Sequence, residues 1–229
     1  MHMAKGYFVT GTGTGVGKTL ASCALLHAFN AAGRIAVAMK PVAAGSEEGK
    51  WMDVELLAAA SAFIPARDHM NPYALHPPIA PHIAAREMGI EIDIEVIRNS
   101  LHVLQRSADL VVVEGVGGFL VPLNERQGSD DLALALNLPV ILVVGMQLGC
   151  LNHALLTARA VRAAGLTLSG WIANCIDPGM AAFDENVLAL DQRLGCPLLG
   201  VFPFDPQANP KKMACLLEIR KINPESFGT

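Results

Sequence analysis

The residues best suited to chemistry lie in a glycine-rich turn near the start of the chain. The segment FVTGTGTGVGKTLA, residues 8–21, runs from an apolar stretch into Gly17, Lys18 and Thr19. Its alternating glycines allow successive backbone amides to turn inward toward an anion, and a helix that begins near Lys18 adds its positive end. Lys18 would reach the β- and γ-phosphates of a nucleotide, and the Thr19 hydroxyl would bind Mg²⁺. We therefore predict a loop that binds nucleotide phosphates.

This turn departs from the strict Walker A pattern GxxxxGK[ST], because Thr12 occupies the position of the first glycine. Two other interpretations are a glycine-rich turn with an exposed lysine and a dinucleotide-binding loop. The dinucleotide pattern GxGxxG is only partly present, since Val16 stands at its last position, and the second predicted strand ends in Lys40 instead of an acidic residue. The residues favour the phosphate loop (P-loop) of a nucleoside triphosphate site.

Two acidic residues and a lysine stand where such a site would need them. Glu114 ends the apolar run DLVVVEG, at the position of a Walker B acid, and Asp53 precedes a helical stretch. Both could bind Mg²⁺, which prefers oxygen ligands. Lys40 could steady a transferring phosphoryl group or a substrate anion. The alternatives are a solvated or capping Glu114, a helix N-cap at Asp53 and a surface lysine at position 40.

Two further segments could receive a substrate. Gly115 ends the predicted strand 110–115 and Gly117 and Gly118 follow it, so that these glycines free backbone amides at a strand end, where a ligand can approach closely. The segment LGCLNHALL opens a helix, so that Asn152 and the neighbouring amides could bind a carboxylate. The alternative is that Asn152 is simply an N-cap.

These residues need a sheet to bring them together, and the rest of the sequence predicts one. Apolar β-branched runs alternate with Ala- and Leu-rich helical stretches, and several runs are continuously apolar, as in strands covered on both faces. This alternation predicts an α/β fold with a doubly wound, mostly parallel sheet, P-loop NTPase-like, in three αβα layers. The predicted strands are residues 6–10, 35–40, 110–115, 139–145, 168–175 and 197–202. The predicted helices are residues 18–33, 53–63, 92–108, 152–165 and 182–195.

The length fits one domain, residues 1–229, with flexible termini expected at about 1–4 and 222–229. The loop Met70–Pro81 contains four prolines, and we expect no regular structure in it. This loop could be a rigid cover over a site or a surface crossover.

Composition excludes several classes of protein. The formal charge of −4 and the pI of about 5.9 give no basic surface for nucleic acid. The longest apolar run, residues 138–144, is far shorter than the roughly 20 residues of a membrane span. The five cysteines contain no CxxC pair of a zinc or redox site, which indicates reduced thiols. We expect a cytoplasmic protein that binds neither nucleic acid nor membrane.

Six segments, taken in order, resemble the dethiobiotin synthetases, ATP-dependent carboxylating and ring-closing enzymes of biotin synthesis. They are the phosphate loop, KPVAAGS, PPIAPHIAA, VVVEGVGG, LGCLNHALLT and GWIANCI, and they cover most of the chain. The resemblance implies that ATP and Mg²⁺ drive carboxylation of 7,8-diaminononanoate (diaminopelargonic acid) with CO₂, through a carbamate and a carbamic–phosphoric mixed anhydride. Ring closure would give dethiobiotin, ADP and phosphate. The resemblance also implies a homodimer with substrate sites at the subunit interface.

The same resemblance implies roles for individual residues. The catalytic residues would be Lys18, Lys40 and Thr14. The metal ligands would be Thr19, Asp53 and Glu114. The nucleotide would contact Gly13, Thr14, Gly15, Val16, Gly17, Lys18 and Thr19, and its adenine would contact Asn174, Pro203 and Phe204. The substrate would contact Lys40, Ala44, Gly117 and Gly118, and its carboxylate would reach Leu151 and Asn152 of the neighbouring subunit.

Two positions depart from the family pattern. Gly15 stands where an acidic residue is common, and Ala44 stands where a serine or similar polar residue is common. The segment 174–177, NCID, also resembles the NKxD guanine reader of GTPases without its lysine. These departures concern the contacts to nucleotide and substrate and the preference for ATP.

Other proteins with a phosphate loop are alternatives. A partitioning or positioning switch ATPase typically carries a second lysine early in the loop, at the position that Gly13 occupies here. An amidoligase related to cobyrinic acid synthesis carries an additional glutaminase domain, for which this length leaves no room. A noncatalytic GTP-binding module would bind nucleotide without any turnover that depends on the diamine.

Overall fold

A six-stranded parallel sheet forms the centre of the molecule, whose computed structural model describes residues 6–222. The order of strands is β2–β5–β1–β6–β7–β8, and every neighbouring pair is parallel. These strands are β1 (Gly6–Gly11), β2 (Ala36–Met39), β5 (Leu110–Glu114), β6 (Val140–Met146), β7 (Leu168–Cys175) and β8 (Leu198–Phe202). A separate pair of short parallel strands consists of β3 (Val42–Ala44) and β4 (Tyr73–Leu75).

Helices cover both faces of the central sheet. They are α1 (Lys18–Ala31), α2 (Met52–Ala60), α3 (Arg67–Met70), α4 (Pro81–Glu87), α5 (Ile94–Ser107), α6 (Ser129–Leu136), α7 (Cys150–Ala163), α8 (Phe183–Leu194) and α9 (Pro210–Ala214). A 3₁₀ turn, Ile219–Lys221, follows the last of them. Along β1, Tyr7 and Val9 pack toward α1, α2 and α9, whereas Phe8 packs toward α4 to α8. The three αβα layers and the doubly wound α/β fold are therefore confirmed.

The position of β1 explains why the candidate residues converge. This strand lies between β5 and β6, with Val9 opposite Glu114 and Gly11 opposite Val143. Parallel strands end at the same edge of a sheet, so that the turn after β1 lies beside the turns after β5 and β6. Ligands of doubly wound sheets bind at this edge, where the strand order changes direction.

Several elements differ from the sequence prediction. The loop Met70–Pro81 is partly regular, because residues 73–75 form β4 and Pro81 is the first residue of α4. Proline suits the first helical position, since its missing N–H has no partner in a helix there. The prediction of no regular structure was therefore wrong, and the preference of proline for a helix start explains the error at Pro81. The prediction also missed the helices α3, α4, α6 and α9 and the short pair β3–β4.

The predicted flexible residues 1–4 and 223–229 lie outside the described part of the chain. Ile222, the first residue of the predicted carboxyl-terminal segment, donates its N–H to the Ile219 carbonyl. Within residues 6–222, every helix is too short or too polar to cross a membrane. All five cysteines are free thiols, as expected.

Candidate active site

The phosphate loop connects β1 to α1 and is curled by glycine. Gly15 and Gly17 have φ values of 75° and 91°, which side chains other than glycine rarely adopt. Gly17 is the N-cap of α1 and provides no side-chain cap, and the first turn of α1 contains no acidic residue. The first amides of α1 are therefore left to a ligand, in the arrangement typical of anion sites.

Lys18 closes the phosphate loop on itself. Its Nζ donates to the Gly13 carbonyl at 2.8 Å, and the residue is 8% exposed. The alternative of an exposed lysine is therefore wrong. Burial lowers the pKa of Lys18 to about 8, and the neighbouring charge of Lys40 acts in the same direction, while Glu114 and Asp53 oppose both.

Contacts with β6 and β7 fix the phosphate loop to the sheet. The Thr12 N–H donates to the Val143 carbonyl at 3.1 Å, and the Gly145 N–H donates to the Thr12 hydroxyl oxygen at 3.4 Å. A Cβ at Gly145 would lie 2.9 Å from the Val16 side chain, so that glycine leaves the space into which Val16 fits. From β7, Asn174 Nδ2 donates to the Val16 carbonyl at 2.9 Å.

Lys40 joins the two predicted metal-ligating carboxylates. Its Nζ lies 2.6 Å from Glu114 Oε1, 3.1 Å from Asp53 Oδ2 and 3.1 Å from the Gly115 carbonyl oxygen. Lys40 is 4% exposed and Glu114 is 1% exposed, so that the pair is isolated from bulk water. Burial lowers the pKa of Lys40, but the charges of Glu114 and Asp53 and their hydrogen bonds outweigh it and raise the pKa overall.

This geometry decides the alternatives for three residues. A surface position for Lys40 and a solvated position for Glu114 are both wrong, because both side chains are buried. Asp53 is not an N-cap, since α2 begins at Met52 and its N-cap is Trp51. Asp53 instead turns its carboxylate toward Lys40, with which it forms an ion pair.

The same cluster fits a divalent cation. The Thr19 hydroxyl donates to Glu114 Oε1 at 3.0 Å, and the buried Glu114 Oε2 has no hydrogen-bond partner. Within residues 6–222, no three His, Cys, Asp or Glu side chains come together as a metal site. A cation here would therefore need the Thr19 hydroxyl and phosphate oxygens besides the two carboxylates, which is the oxygen donor set that Mg²⁺ prefers.

The glycines after β5 lie against the phosphate loop. A Cβ at Gly117 would lie 3.7 Å from the Thr14 hydroxyl oxygen, and a Cβ at Gly118 would lie 3.8 Å from the Gly11 carbonyl oxygen. Thr14 is exposed at the tip of the loop. The structure thus places the predicted substrate glycines beside the predicted nucleotide site.

Ala44 ends β3, one residue after the buried Ala43. The next residue, Gly45, has a φ of 89°, and a Cβ there would lie 3.1 Å from Pro78. The proline-containing loop therefore lies over the end of β3, next to the predicted substrate position at Ala44.

The remaining predicted residues occupy the other half of this edge of the sheet. Leu151 and Asn152 lie in the first turn of α7, and Asn152 is exposed. Asn152 is not an N-cap, because that position is Gly149. Pro203 and Phe204 directly follow β8, whose last residue, Phe202, lies opposite Asn174.

One positioning residue escaped the sequence analysis. Asn71 is 4% exposed, and its Nδ2 donates to the Lys40 carbonyl at 2.7 Å. The Lys40 N–H in turn donates to the Met70 carbonyl at 2.7 Å. The segment around Asn71 thereby fixes the backbone from which the Lys40 side chain reaches the carboxylates. The sequence signal was weak, because an asparagine before a proline is typical of any turn.

Comparisons with known proteins identify the family and agree with the fold. Residues 5–212 match the family described as "AAA domain". The chain is 63% identical over 226 residues to the ATP-dependent dethiobiotin synthetase BioD of Nitrosospira multiformis, covering 99% of this chain and 100% of that protein. It is 54% identical over 223 residues to the protein of the same name from Aromatoleum aromaticum, covering 96% of this chain and 99% of that protein.

A comparison of folds gives a more distant similarity. The MinD cell division protein of Aquifex aeolicus superposes with a TM-score of 0.58 at 13% identity, covering 99% of this chain and 98% of that one. At this identity the similarity establishes the P-loop NTPase-like fold alone. The identity to curated relatives over almost the whole chain establishes more: the chain belongs to the family of ATP-dependent dethiobiotin synthetases, which are ligases of biotin biosynthesis.

Proposed function

We propose that the protein uses ATP and Mg²⁺ to carboxylate 7,8-diaminononanoate with CO₂ and to close the product to dethiobiotin. One amine of the substrate forms a bond to CO₂ and loses a proton, which gives a carbamate. A carbamate oxygen then attacks the γ-phosphorus of ATP, and ADP leaves. The second amine attacks the carbonyl carbon of the resulting mixed anhydride and loses a proton, the C–O bond to phosphate breaks, phosphate leaves, and a cyclic urea remains.

The charges of the site support this chemistry. Lys18 and Lys40 carry two positive charges, and Asp53 and Glu114 carry two negative charges, so that the four groups cancel before any ligand binds. A carbamate and a triphosphate are both anions, and they repel each other until cations lie between them. Phosphoryl transfer depends mainly on such positioning and charge neutralisation. A further cation is therefore needed at this cluster.

Mg²⁺ is the cation that we propose, held by Thr19, Asp53 and Glu114. The buried Glu114 Oε2 without a hydrogen-bond partner supports this assignment. When bound, the ion would neutralise charge on the β- and γ-phosphate oxygens. The protein's own contribution would be to hold Glu114 at the end of β5, Thr19 in the first turn of α1 and Asp53 in the first turn of α2.

Lys40 must change partners before it can assist the substrate. An ammonium group has three hydrogens, and Glu114, Asp53 and the Gly115 carbonyl provide three acceptors for them. No hydrogen is left for a carbamate in this arrangement. With Asp53 and Glu114 engaged in holding a cation, Lys40 would be free to turn toward the carbamate, whereas Lys18 would stay in the loop and serve the phosphates.

The substrate would lie along Gly117 and Gly118, beside Thr14 and Ala44. Its carboxylate would reach Leu151 and Asn152 of a second copy of the chain, in a homodimer. The exposure of this turn supports the assignment, because Leu148 is 96% exposed and Asn152 also faces solvent. The adenine would lie between Asn174 and the segment of Pro203 and Phe204.

One observation carries the proposal: Lys18, Lys40, Thr19, Asp53 and Glu114 meet at one edge of the sheet, in a chain of this family. We expect purified protein to release phosphate from ATP only when Mg²⁺, bicarbonate and the diamine are all present. Labelled bicarbonate should enter a cyclic urea. The matched control omits the diamine alone.

Equal phosphate release with and without the diamine would contradict the proposal and favour a switch ATPase. The similarity in fold to MinD makes this the main alternative. Gly13, at the position where switch ATPases typically carry a second lysine, argues against it. Nucleotide binding without any turnover would instead favour a noncatalytic module.

A further inference from the structure

We propose that Asn174 is a positioning residue for the phosphate loop, in addition to its proposed contact with the base. Asn174 lies near the end of β7, opposite Gly145 of β6, and is 5% exposed. Its Nδ2 donates to the Val16 carbonyl at 2.9 Å, across 158 residues of sequence. This is a direct bond from the sheet to Val16, which lies between the two loop glycines of positive φ.

The bond controls the direction of a backbone amide. All described peptide bonds are trans, so that the C=O of Val16 and the N–H of Gly17, which share one peptide plane, point in opposite directions. Asn174 holds the carbonyl toward β7. The Gly17 N–H is thereby turned away from β7, and amides of this segment are the groups that would bind phosphate.

The neighbouring glycines make such control necessary. Gly15 and Gly17 flank Val16 and have positive φ values, and glycine has a wide choice of backbone conformations. Without an external bond the Val16–Gly17 peptide could turn, because Gly17 on one side of it has no side chain to restrict its φ. Val16 itself is held by its side chain, which packs where a Cβ at Gly145 would otherwise lie.

Close packing shows that Asn174 and the loop fit each other. A Cβ at Gly17 would lie 2.1 Å from Asn174 Nδ2, so that only glycine can occupy position 17 beside this amide. After its bond to Val16, Asn174 still has one N–H and the Oδ1 atom for a base. Asn174 can therefore couple recognition of the base to the shape of the phosphate loop.

The inference rests on the proposed ATP site and not on the ring-closing chemistry, so binding alone can test it. The probes are ATP and inorganic tripolyphosphate, which lacks a base, each titrated with Mg²⁺ into the full chain by calorimetry. A residue that only reads the base affects ATP alone. A residue that positions the loop affects both probes.

We expect Asn174→Ala to weaken tripolyphosphate binding about tenfold, the effect of about one buried hydrogen bond. ATP binding should fall at least as much. The matched control is Phe204→Ala, at the base site after β8, which should weaken ATP binding and leave tripolyphosphate binding at the wild-type value. If Asn174→Ala does not fold, Asn174→Leu has a similar volume, cannot donate to Val16, and serves for the same comparison.

Wild-type affinity of the Asn174 variants for tripolyphosphate would overturn the inference and leave Asn174 as a base contact only. If the wild-type chain bound neither probe, the proposed nucleotide site itself would be wrong. The two failures are distinguishable because the second one appears before any substitution is made.

Discussion

The two halves of the carboxyl edge of the sheet differ in how far their side chains are buried and bonded within one chain. At the ends of β1, β2 and β5, the side chains of Lys18, Lys40 and Glu114 are buried and bonded to one another or to the backbone. At the ends of β6 and β8, Leu148 is 96% exposed and Phe204 is 47% exposed. We call these the closed half and the open half.

The difference follows from the cost of desolvation. A charged side chain that is removed from water must find opposite charges and hydrogen bonds within the same chain, or the fold loses several kcal/mol. An exposed apolar side chain carries no such penalty, and it can stay exposed until a base or another subunit covers it. The proposed phosphate chemistry would thus lie in the closed half, whereas the open half would present the proposed surfaces for the base and for a second subunit.

The largest expected effect belongs to the two lysines of the closed half. Lys18→Ala and Lys40→Ala should each lower turnover at least about a thousandfold, because each removes a cation from the proposed phosphoryl-transfer site. Their stabilities should differ. Lys40→Ala leaves the buried Glu114 without its ion pair and should cost about 3 kcal/mol, whereas Lys18→Ala removes one bond to a carbonyl and should cost about 1 kcal/mol.

Turnover assays and denaturant unfolding of both variants test this. The control is Arg67→Ala, which breaks the exposed Arg67–Glu55 ion pair and should change the free energy of unfolding by less than about 1 kcal/mol. Full activity of either lysine variant would remove that residue from the mechanism. Equal stabilities of Lys40→Ala and Arg67→Ala would show that the closed half is not sealed from water.

The second prediction concerns the boundary between the two halves, at Gly17 and Asn174. Gly17→Ala should lower the free energy of unfolding by about 2 kcal/mol, because the added Cβ collides with Asn174 and the φ of 91° is strained. Gly13→Ala is the control within the same loop, since a Cβ there meets nothing within 4 Å. Its stability should stay within about 0.5 kcal/mol of the wild type. Denaturant unfolding measures the stability of both variants, and equal losses of unfolding free energy would contradict the close contact between Gly17 and Asn174.

The third prediction concerns the open half. If two copies meet at the start of α7, Leu148→Asp should raise the dissociation constant of the dimer at least about tenfold, because it places a charge in an apolar contact. Leu188→Asp, on α8, is the control, since Leu188 is also exposed, at 57%, but lies on another element. Sedimentation velocity at several concentrations measures the change. A dimer that is insensitive to Leu148→Asp would place the interface elsewhere.

The sequence predicted the main sheet well for a physical reason. Strands that are covered on both faces must be apolar throughout, and the predicted bounds of all six agree with the structure to within one residue at each end. The pair β3–β4 was missed because each strand has three residues, too few to show a period. Helix α6 did carry a signal, since acidic residues in its first turn precede the apolar run LALAL, and it was overlooked.

The site was predictable in its residues but not in its bonds. Lys40 directly follows β2 and Glu114 ends β5, and the two strands are parallel neighbours, so that the meeting of the two side chains follows from topology. The sequence could not show that Lys40 uses all its hydrogens within the protein, because that depends on distances between side chains. Likewise, no spacing rule connects Asn174 to Val16, since the two come together only when β7 is placed in the sheet.

The start of α1 has no side-chain cap, and this has a consequence for the stability of the protein. Helix α5 has the N-cap Asp93, whose carboxylate accepts from the Glu95 N–H, and α9 has the N-cap Asn209, whose side-chain oxygen accepts from the Lys211 and Lys212 N–H groups. Helix α1 has no such internal cap. By mass action, an anion that binds only the folded chain adds to the folding free energy as its concentration rises above the dissociation constant. If the start of α1 binds a nucleotide as proposed, we expect the folded chain to resist heat and proteases better as the nucleotide concentration rises.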